Sequence, residues 1–157
     1  MTPRSPKFPV LTLSEAIDLL RLVAAADPEP SEGRPRHEIL KLLGYASFHG
    51  PAARHFASLR AYDLIEKKEQ GLAISELGRV LLGNGDEATH RAALHRAALS
   101  PMAFRMLWRR VRHSSGAEMR ELLLERGFSE PGSKRATRVY RENDTLAGLA
   151  SLEIEPE

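Results

Sequence analysis

The stretch that decides the fold is HGPAARHFASLRAYDLIEKKEQGLAISELG, residues 49–78. Gly50 followed by Pro51 is a common helix start, because the first helical position needs no amide proton and proline has none. The predicted helix runs to about Tyr62. Two apolar segments on either side of residues 69–71 predict a short β-hairpin, and the Ser-Glu-Leu-Gly run after it predicts another capped helical segment.

Two more helices are predicted before this stretch. Residues 1–11 are rich in proline and read as an extended lead-in. An amphipathic helix of about 12 residues begins near Thr12 or Ser14, either of which can cap it. A polar loop with three prolines follows, and a short apolar helix from Arg36 ends at Gly44.

The second half of the chain is predicted to be almost entirely helical. Helices are expected over about residues 86–99, 101–113, 115–126 and 134–149, with a polar turn at 129–133. The acidic tail, residues 151–157, is expected to fray. The predicted fold class is therefore mainly α, with one region at 12–83 and a C-terminal helical region at 84–150.

The order helix, loop, helix, tight turn, helix and hairpin resembles the winged helix-turn-helix superfamily of bacterial DNA-binding regulators over about residues 10–83. The residues that carry the resemblance are Leu59 inside the third helix, Leu64-Ile65 just after it, and Ser75–Gly78 after the hairpin. The resemblance implies a winged helix-turn-helix with a short hairpin as its wing. It does not extend to the C-terminal helical region.

The resemblance also implies DNA binding, with helix 51–62 in the major groove and the 65–74 wing on the backbone. If Ala53, Phe56 and Leu59 face the core, the opposite face of this helix carries polar side chains for the base edges. Lysines in the wing and arginines before the second helix would contact phosphates. The predicted DNA-contacting residues are His49, Arg54, His55, Ser58, Lys67, Lys68, Arg34 and Arg36.

A second basic cluster lies in the C-terminal region. Arg105, Arg109 and Arg112 are spaced i, i+4, i+7, so they share one stripe of a helix. One interpretation is a second surface that contacts phosphates. The other, which we favour, is a solvated helix face partly paired with the acidic side chains of the next helix.

Composition excludes several classes of site. The chain has no cysteine, so disulfides, thiolate metal sites and a cysteine nucleophile are absent. No two histidines are spaced i, i+4 as on a zinc-binding helix, since His90 and His95 lie five apart, and no phosphate-binding loop or catalytic triad pattern occurs. We therefore predict no metal, no cofactor and no enzymatic activity. No apolar run is long enough for a signal peptide or a membrane span, which predicts a cytoplasmic protein.

The net charge of +2 is small but unevenly distributed, since residues 34–85 hold eight basic and five acidic side chains. The predicted function is sequence-specific binding of double-stranded DNA by a bacterial transcriptional regulator. A homodimer is expected through the C-terminal helices, which would supply a dimer interface or a dock for a partner with Phe104, Leu107, Trp108, Leu122 and Leu123. The alternative is a winged-helix adaptor that binds a protein partner in a larger phage-related or defence assembly.

Overall fold

The computed structural model describes residues 5–26, 33–47 and 50–157. Within them the chain is mainly helical, with one small antiparallel sheet, which confirms the predicted mainly α class. The helices are α1 (Leu13–Ala26), α2 (Arg36–Leu42), α3 (Pro51–Ala61), α4 (Glu76–Leu82), α5 (Glu87–Ala98), α6 (Met102–Val111), α7 (Gly116–Glu125) and α8 (Glu130–Ala147). The strands are β1 (Ile65–Lys68) and β2 (Gly71–Ile74), and a 3₁₀ turn (Leu149–Ser151) follows α8.

Side-chain caps set where the helices begin. At α1 the Thr12 hydroxyl accepts from the Glu15 amide, and the Glu15 carboxylate accepts from the Thr12 amide, so Thr12 rather than Ser14 is the cap. The predicted turn at 129–133 is wrong, because Ser129 caps α8 by accepting from the Gly132 amide. Pro131 fits in this first turn, where helical amides need no partner within the helix.

The predicted hairpin is confirmed, and it is joined to the segment before α2. Ile65 pairs with Ile74 and Lys68 with Gly71, leaving a two-residue turn. The backbone of Arg34 pairs with that of Leu72 on the outer edge of β2, through two hydrogen bonds of 2.8 Å. Gly71 has a φ of +131°, and a β-carbon there would collide with the Arg34 carbonyl. The start of α2 is therefore held against the hairpin.

The N-terminal and C-terminal regions pack around one continuous apolar core. Phe104 of α6 lies between Tyr62, at the end of α3, and Tyr140 of α8, with ring centroids 6.4 and 5.9 Å apart. Next to this row, the buried Asn143 side chain accepts from the Leu13 amide and donates to the Tyr62 hydroxyl. The end of α3 is thus tied both to α1 and to α8.

The apolar residues expected at a dimer interface are mostly part of this core. Phe104, Leu107, Trp108 and Leu123 are all buried within the chain, and Leu122 is half-buried. The expectation that they form a surface for a second copy is wrong, because α6 and α7 turn their apolar faces toward the chain's own core. Over the residues described, no helix combines the length and apolar character that crossing a membrane needs.

Candidate nucleic-acid interface

The exposed face of α3 is a strip of small residues bordered by two arginines. Arg54, Ala57 and Arg60 are exposed, and Ala53 and Ala61 are half-buried. The inner face is formed by Ala52, Phe56, Ser58 and Leu59, which are buried. The helix is therefore rotated relative to the expectation that Ala53 faces the core, and this rotation exposes Arg60.

Ser58 does not lie on the exposed face, so its predicted role as a base reader is wrong. Its hydroxyl accepts from the amides of Val10 and Leu11, at 3.1 and 3.3 Å, and donates to the Arg54 carbonyl. The N-terminal lead-in crosses α3 at this point and covers the serine. Buried polar groups need such partners, and here the serine supplies them to an extended segment with no sheet of its own.

The two predicted histidines have different outcomes. His49 lies outside the described residues. His55 is half-buried, and its Nδ1 lies 2.9 Å from the hydroxyl oxygen of Tyr45, a residue shortly after the end of α2. This contact joins Tyr45 to the side of α3 away from Arg60, so His55 does not belong to the exposed strip.

A basic cleft of about 480 Å³ opens beside the C-terminal half of α3. Arg36 and His37 of α2, Arg60 of α3 and Lys67 of β1 line it, together with Leu40 and the start of β2. No carboxylate of the described residues lines this cleft, and neither Arg60 nor Lys67 forms an ion pair with another described residue. The fold thus brings three elements together to concentrate positive charge.

The other two predicted cations near the hairpin are paired with acidic neighbours. The Arg34 Nη1 atom lies 3.8 Å from Glu38 Oε2, and the Lys68 Nζ atom lies 3.2 Å from Glu66 Oε1. Such partly exposed ion pairs are worth little, so phosphate oxygens can replace the carboxylates at small cost. Lys67 therefore meets the predicted role most directly, Arg36 lines the same cleft, and Arg34 and Lys68 flank it.

The second basic cluster is engaged within the chain. The Arg105 guanidinium donates to the Leu99 carbonyl, and Arg112 stacks over the Trp108 ring at 4.4 Å while donating to the Trp108 carbonyl. Arg109 forms two hydrogen bonds with the carboxylate of Glu155. The expected pairing with the acidic side chains of α7 is wrong, because the C-terminal tail folds back onto α6 and supplies the partner.

The tail, which the sequence predicts to fray, contacts α6 through Glu155. The Arg109 guanidinium lowers the pKa of the Glu155 carboxyl below its ordinary value, mainly through their hydrogen bonds. Pro156 and Glu157 continue along the same surface beside Arg96 and Arg105. The tail therefore binds Arg109 and lies beside Arg105, although both arginine side chains remain exposed.

Two residues of the basic cleft, His37 and Arg60, are absent from the contacts that the sequence predicts. Arg60 lies six positions after Arg54, so both fall on one side of α3 once Ala52 rather than Ala53 is placed inside. His37 follows directly after Arg36, and only the packing of α2 on the hairpin brings it into the cleft.

Among the described residues, no three His, Asp or Glu side chains are grouped as a metal ion requires. Comparisons of the chain with protein-family models, curated proteins and solved structures return no match. The geometry of the basic cleft and of the exposed strip of α3 is therefore the basis for a functional proposal.

Proposed function

We propose that this protein binds double-stranded DNA through α3 and the basic cleft beside it. The observation that carries the proposal is the convergence of Arg36, Arg60 and Lys67, from three different elements, on one cleft that no described carboxylate lines. A helix bordered by this cleft presents only small residues between two arginines. The resemblance of residues 10–83 to winged helix-turn-helix regulators supports the same surface.

The proposed roles follow from the size and charge of the side chains. The major groove is about 12 Å wide and admits a helix. Arg54 can bond both acceptors of a guanine, and the Ala57 methyl can contact a thymine methyl group, which gives sequence preference. Arg36, Arg60 and Lys67 then bind phosphates along one strand and fix the position of the helix.

The orientation of α3 suits this role because hydrogen bonds from the N-terminal lead-in and from α8 fix its inner face. Ser58 is bonded to the lead-in, and Tyr62 is bonded to Asn143 and to the Leu11 carbonyl. A helix fixed in this way needs no rearrangement of its backbone on binding. Preorganisation of this kind lowers the entropic cost of association.

The role of a bacterial transcriptional regulator is the part of the proposal that the resemblance supplies. A homodimer remains a prediction, since most soluble oligomers are symmetric dimers and a single small module binds DNA weakly. Sedimentation equilibrium tests it directly. If the protein is a monomer at all concentrations tested, the homodimer prediction is wrong, and each chain would bind DNA on its own through α3 and the basic cleft.

The test is binding of a fluorescent duplex library, with selection and sequencing of the bound fraction. We expect a preferred motif and a steep loss of affinity between low and moderate salt. The variant R36Q/R60Q/K67Q is expected to weaken binding of all sequences and to reduce the salt slope by about 0.9 for each phosphate that is no longer neutralised. Arg54→Ala is expected to relax the motif at one position, at a cost of about 1–3 kcal/mol on the best sequence.

Arg126→Gln is the matched control, because Arg126 is an exposed arginine at the end of α7 and does not line the basic cleft. It is expected to bind like the wild type. No binding at low salt, or equal binding by the triple variant, would reject the DNA proposal. The first result would favour the adaptor alternative, in which the same cleft receives an acidic segment of a protein, and the second would place DNA binding on another surface.

A further inference from the structure

A cleft of about 550 Å³ lies between α7 and α8 in the C-terminal region. Arg120 of α7 and Arg138 and Arg141 of α8 line it, with Gly116 and Ala117 at the start of α7. None of the three arginines forms an ion pair with another described residue. The cleft is separate from the basic cleft beside α3, and the function proposed above does not use it.

The start of α7 adds further positive charge to this cleft. The Ser115 hydroxyl caps the Glu118 amide, and the amides of Gly116 and Ala117 have no acceptor among the described residues. The Arg141 guanidinium lies against Gly116, where a β-carbon would come within 2.7 Å of Nη1. The Glu118 carboxylate offsets part of the helix dipole, and an anion bound beside Gly116 can accept from both the first amides of α7 and the Arg141 guanidinium.

Thr137 provides an independent indication of a ligand. It lines the cleft and is 5 % exposed, and its hydroxyl oxygen has no hydrogen-bond partner among the described residues. A threonine in a helix can bond the carbonyl one turn earlier, but this hydroxyl does not. Buried hydroxyls are normally satisfied, and this one is not. Its oxygen is enclosed just beneath the cleft surface, so it reaches a ligand in the cleft by rotation about χ1.

Two carboxylates, Glu142 and Asp144, also line the cleft and leave positive charge in excess. Asp144 is engaged, because its Oδ1 accepts from the Ala150 amide and stabilises the turn after α8. Lys134, which also lines the cleft, is paired with Glu130, with 3.5 Å between Lys134 Nζ and Glu130 Oε1. The unpaired charge is therefore concentrated at the three arginines and the start of α7.

We propose that the cleft between α7 and α8 binds the phosphate group of a small phosphorylated molecule. Guanidinium groups and helix amides match the tetrahedral array of phosphate oxygens, and the Thr137 hydroxyl completes the set by rotation about χ1. The cleft volume lies in the range of small-molecule sites. The proposal is independent of DNA binding at α3.

The test uses inorganic phosphate as the probe, at constant ionic strength maintained with sodium chloride. Amide NMR spectra of the full chain are expected to show saturable shifts at Gly116, Ala117 and Thr137. The variant R138Q/R141Q is expected to bind phosphate at least about tenfold more weakly, since each bond to a charged group contributes on that scale. Arg135→Gln, an exposed position on α8 outside the cleft, is the matched control and is expected to bind normally.

Thr137→Val separates a ligand contact from a structural role. The hydroxyl has no described partner to lose, so the variant is expected to keep or raise the Tm without phosphate. It is expected to bind phosphate about fivefold more weakly. A lower Tm with unchanged phosphate affinity would assign the hydroxyl to folding and overturn its role here.

Two other results would overturn the proposal as a whole. One is the absence of saturable shifts, or equal shifts in R138Q/R141Q and the wild type. The other is unchanged phosphate binding combined with weaker duplex binding in R138Q/R141Q, which would make the cleft part of a DNA surface. Failure of DNA binding alone, with phosphate still bound, would reject the function proposed for α3 and leave this site intact.

Discussion

Asn143 is the residue whose replacement tests most directly how the N-terminal and C-terminal regions are held together. It is 1 % exposed and joins three segments that are distant in sequence. Its Oδ1 accepts from the Leu13 amide at 2.7 Å, and its Nδ2 donates to the Tyr62 hydroxyl at 2.9 Å. The Tyr62 hydroxyl in turn donates to the Leu11 carbonyl at 2.8 Å.

Asn143→Ala removes two of these three bonds. The bond to Tyr62 is worth about 1 kcal/mol, and Tyr62 keeps its own bond to Leu11. The Leu13 amide is left in a fully buried position without an acceptor, which costs about 1–3 kcal/mol more. We expect the free energy of unfolding to fall by about 2–4 kcal/mol. At this chain length the Tm then falls by about 10 °C.

The assay is urea unfolding followed by circular dichroism and by fluorescence of Trp108, the single tryptophan of the chain. Because one core spans both regions, the two transitions are expected to coincide in the wild type. Asn84→Ala, in the exposed loop after α4, is the matched control and should change stability by less than about 0.5 kcal/mol. A loss below that value for Asn143→Ala, or two separate transitions, would refute the role assigned to Asn143.

Three further predictions concern pH, backbone shape and the tail. Burial raises the pKa of Tyr62 and Tyr140 above its ordinary value, so these tyrosines ionise at lower pH in the unfolded chain than in the folded one. The free energy of unfolding should therefore fall above about pH 10, by about 1.4 kcal/mol per pH unit for each tyrosine. A free energy of urea unfolding that stays constant with pH in this range would contradict the prediction. Gly71→Ala places a β-carbon against the Arg34 backbone at a positive φ, and thermal unfolding should show a loss of more than about 1 kcal/mol in the free energy of unfolding. Gly85→Ala, where the β-carbon enters open space, should show a smaller loss. Glu155→Gln weakens the contact between the tail and α6, so carboxypeptidase should remove the last residues faster while the Tm is unchanged; an equal cleavage rate would refute the contact.

Local signals in the sequence predict much of the fold. The hairpin follows from two apolar segments around a short polar turn, and the start of α4 follows from Ser75, whose hydroxyl accepts from the Gly78 amide. These features depend on neighbours within about ten residues, which is the range that local sequence patterns describe. Local signals place the start of α8 wrongly because Pro131 and Gly132 are typical of turns, although both residues are also tolerated in the first turn of a helix.

The candidate site is predictable from the sequence in part. Arg36 and Lys67 are expected to contact phosphates, and the structure brings them into one cleft. Their neighbour Arg60 depends on the packing of α3 against the hairpin and α2, which no local pattern describes. The partner of Arg109 lies in the tail, at Glu155, and contacts between residues this far apart in sequence leave no periodic signal.

The orientation of α3 shows why the exposed face of a short helix is difficult to read from its own residues. Small alanines occupy positions on both sides of α3, so apolar periodicity discriminates poorly between them. The rotation is instead consistent with polar contacts from distant segments, because the lead-in binds Ser58 and Asn143 of α8 binds Tyr62. Turning either residue outward would leave buried donors unpaired, at a cost larger than the burial of one alanine in place of another. The strip that carries Arg54 and Arg60 is therefore exposed as a consequence of what the opposite side of the helix binds.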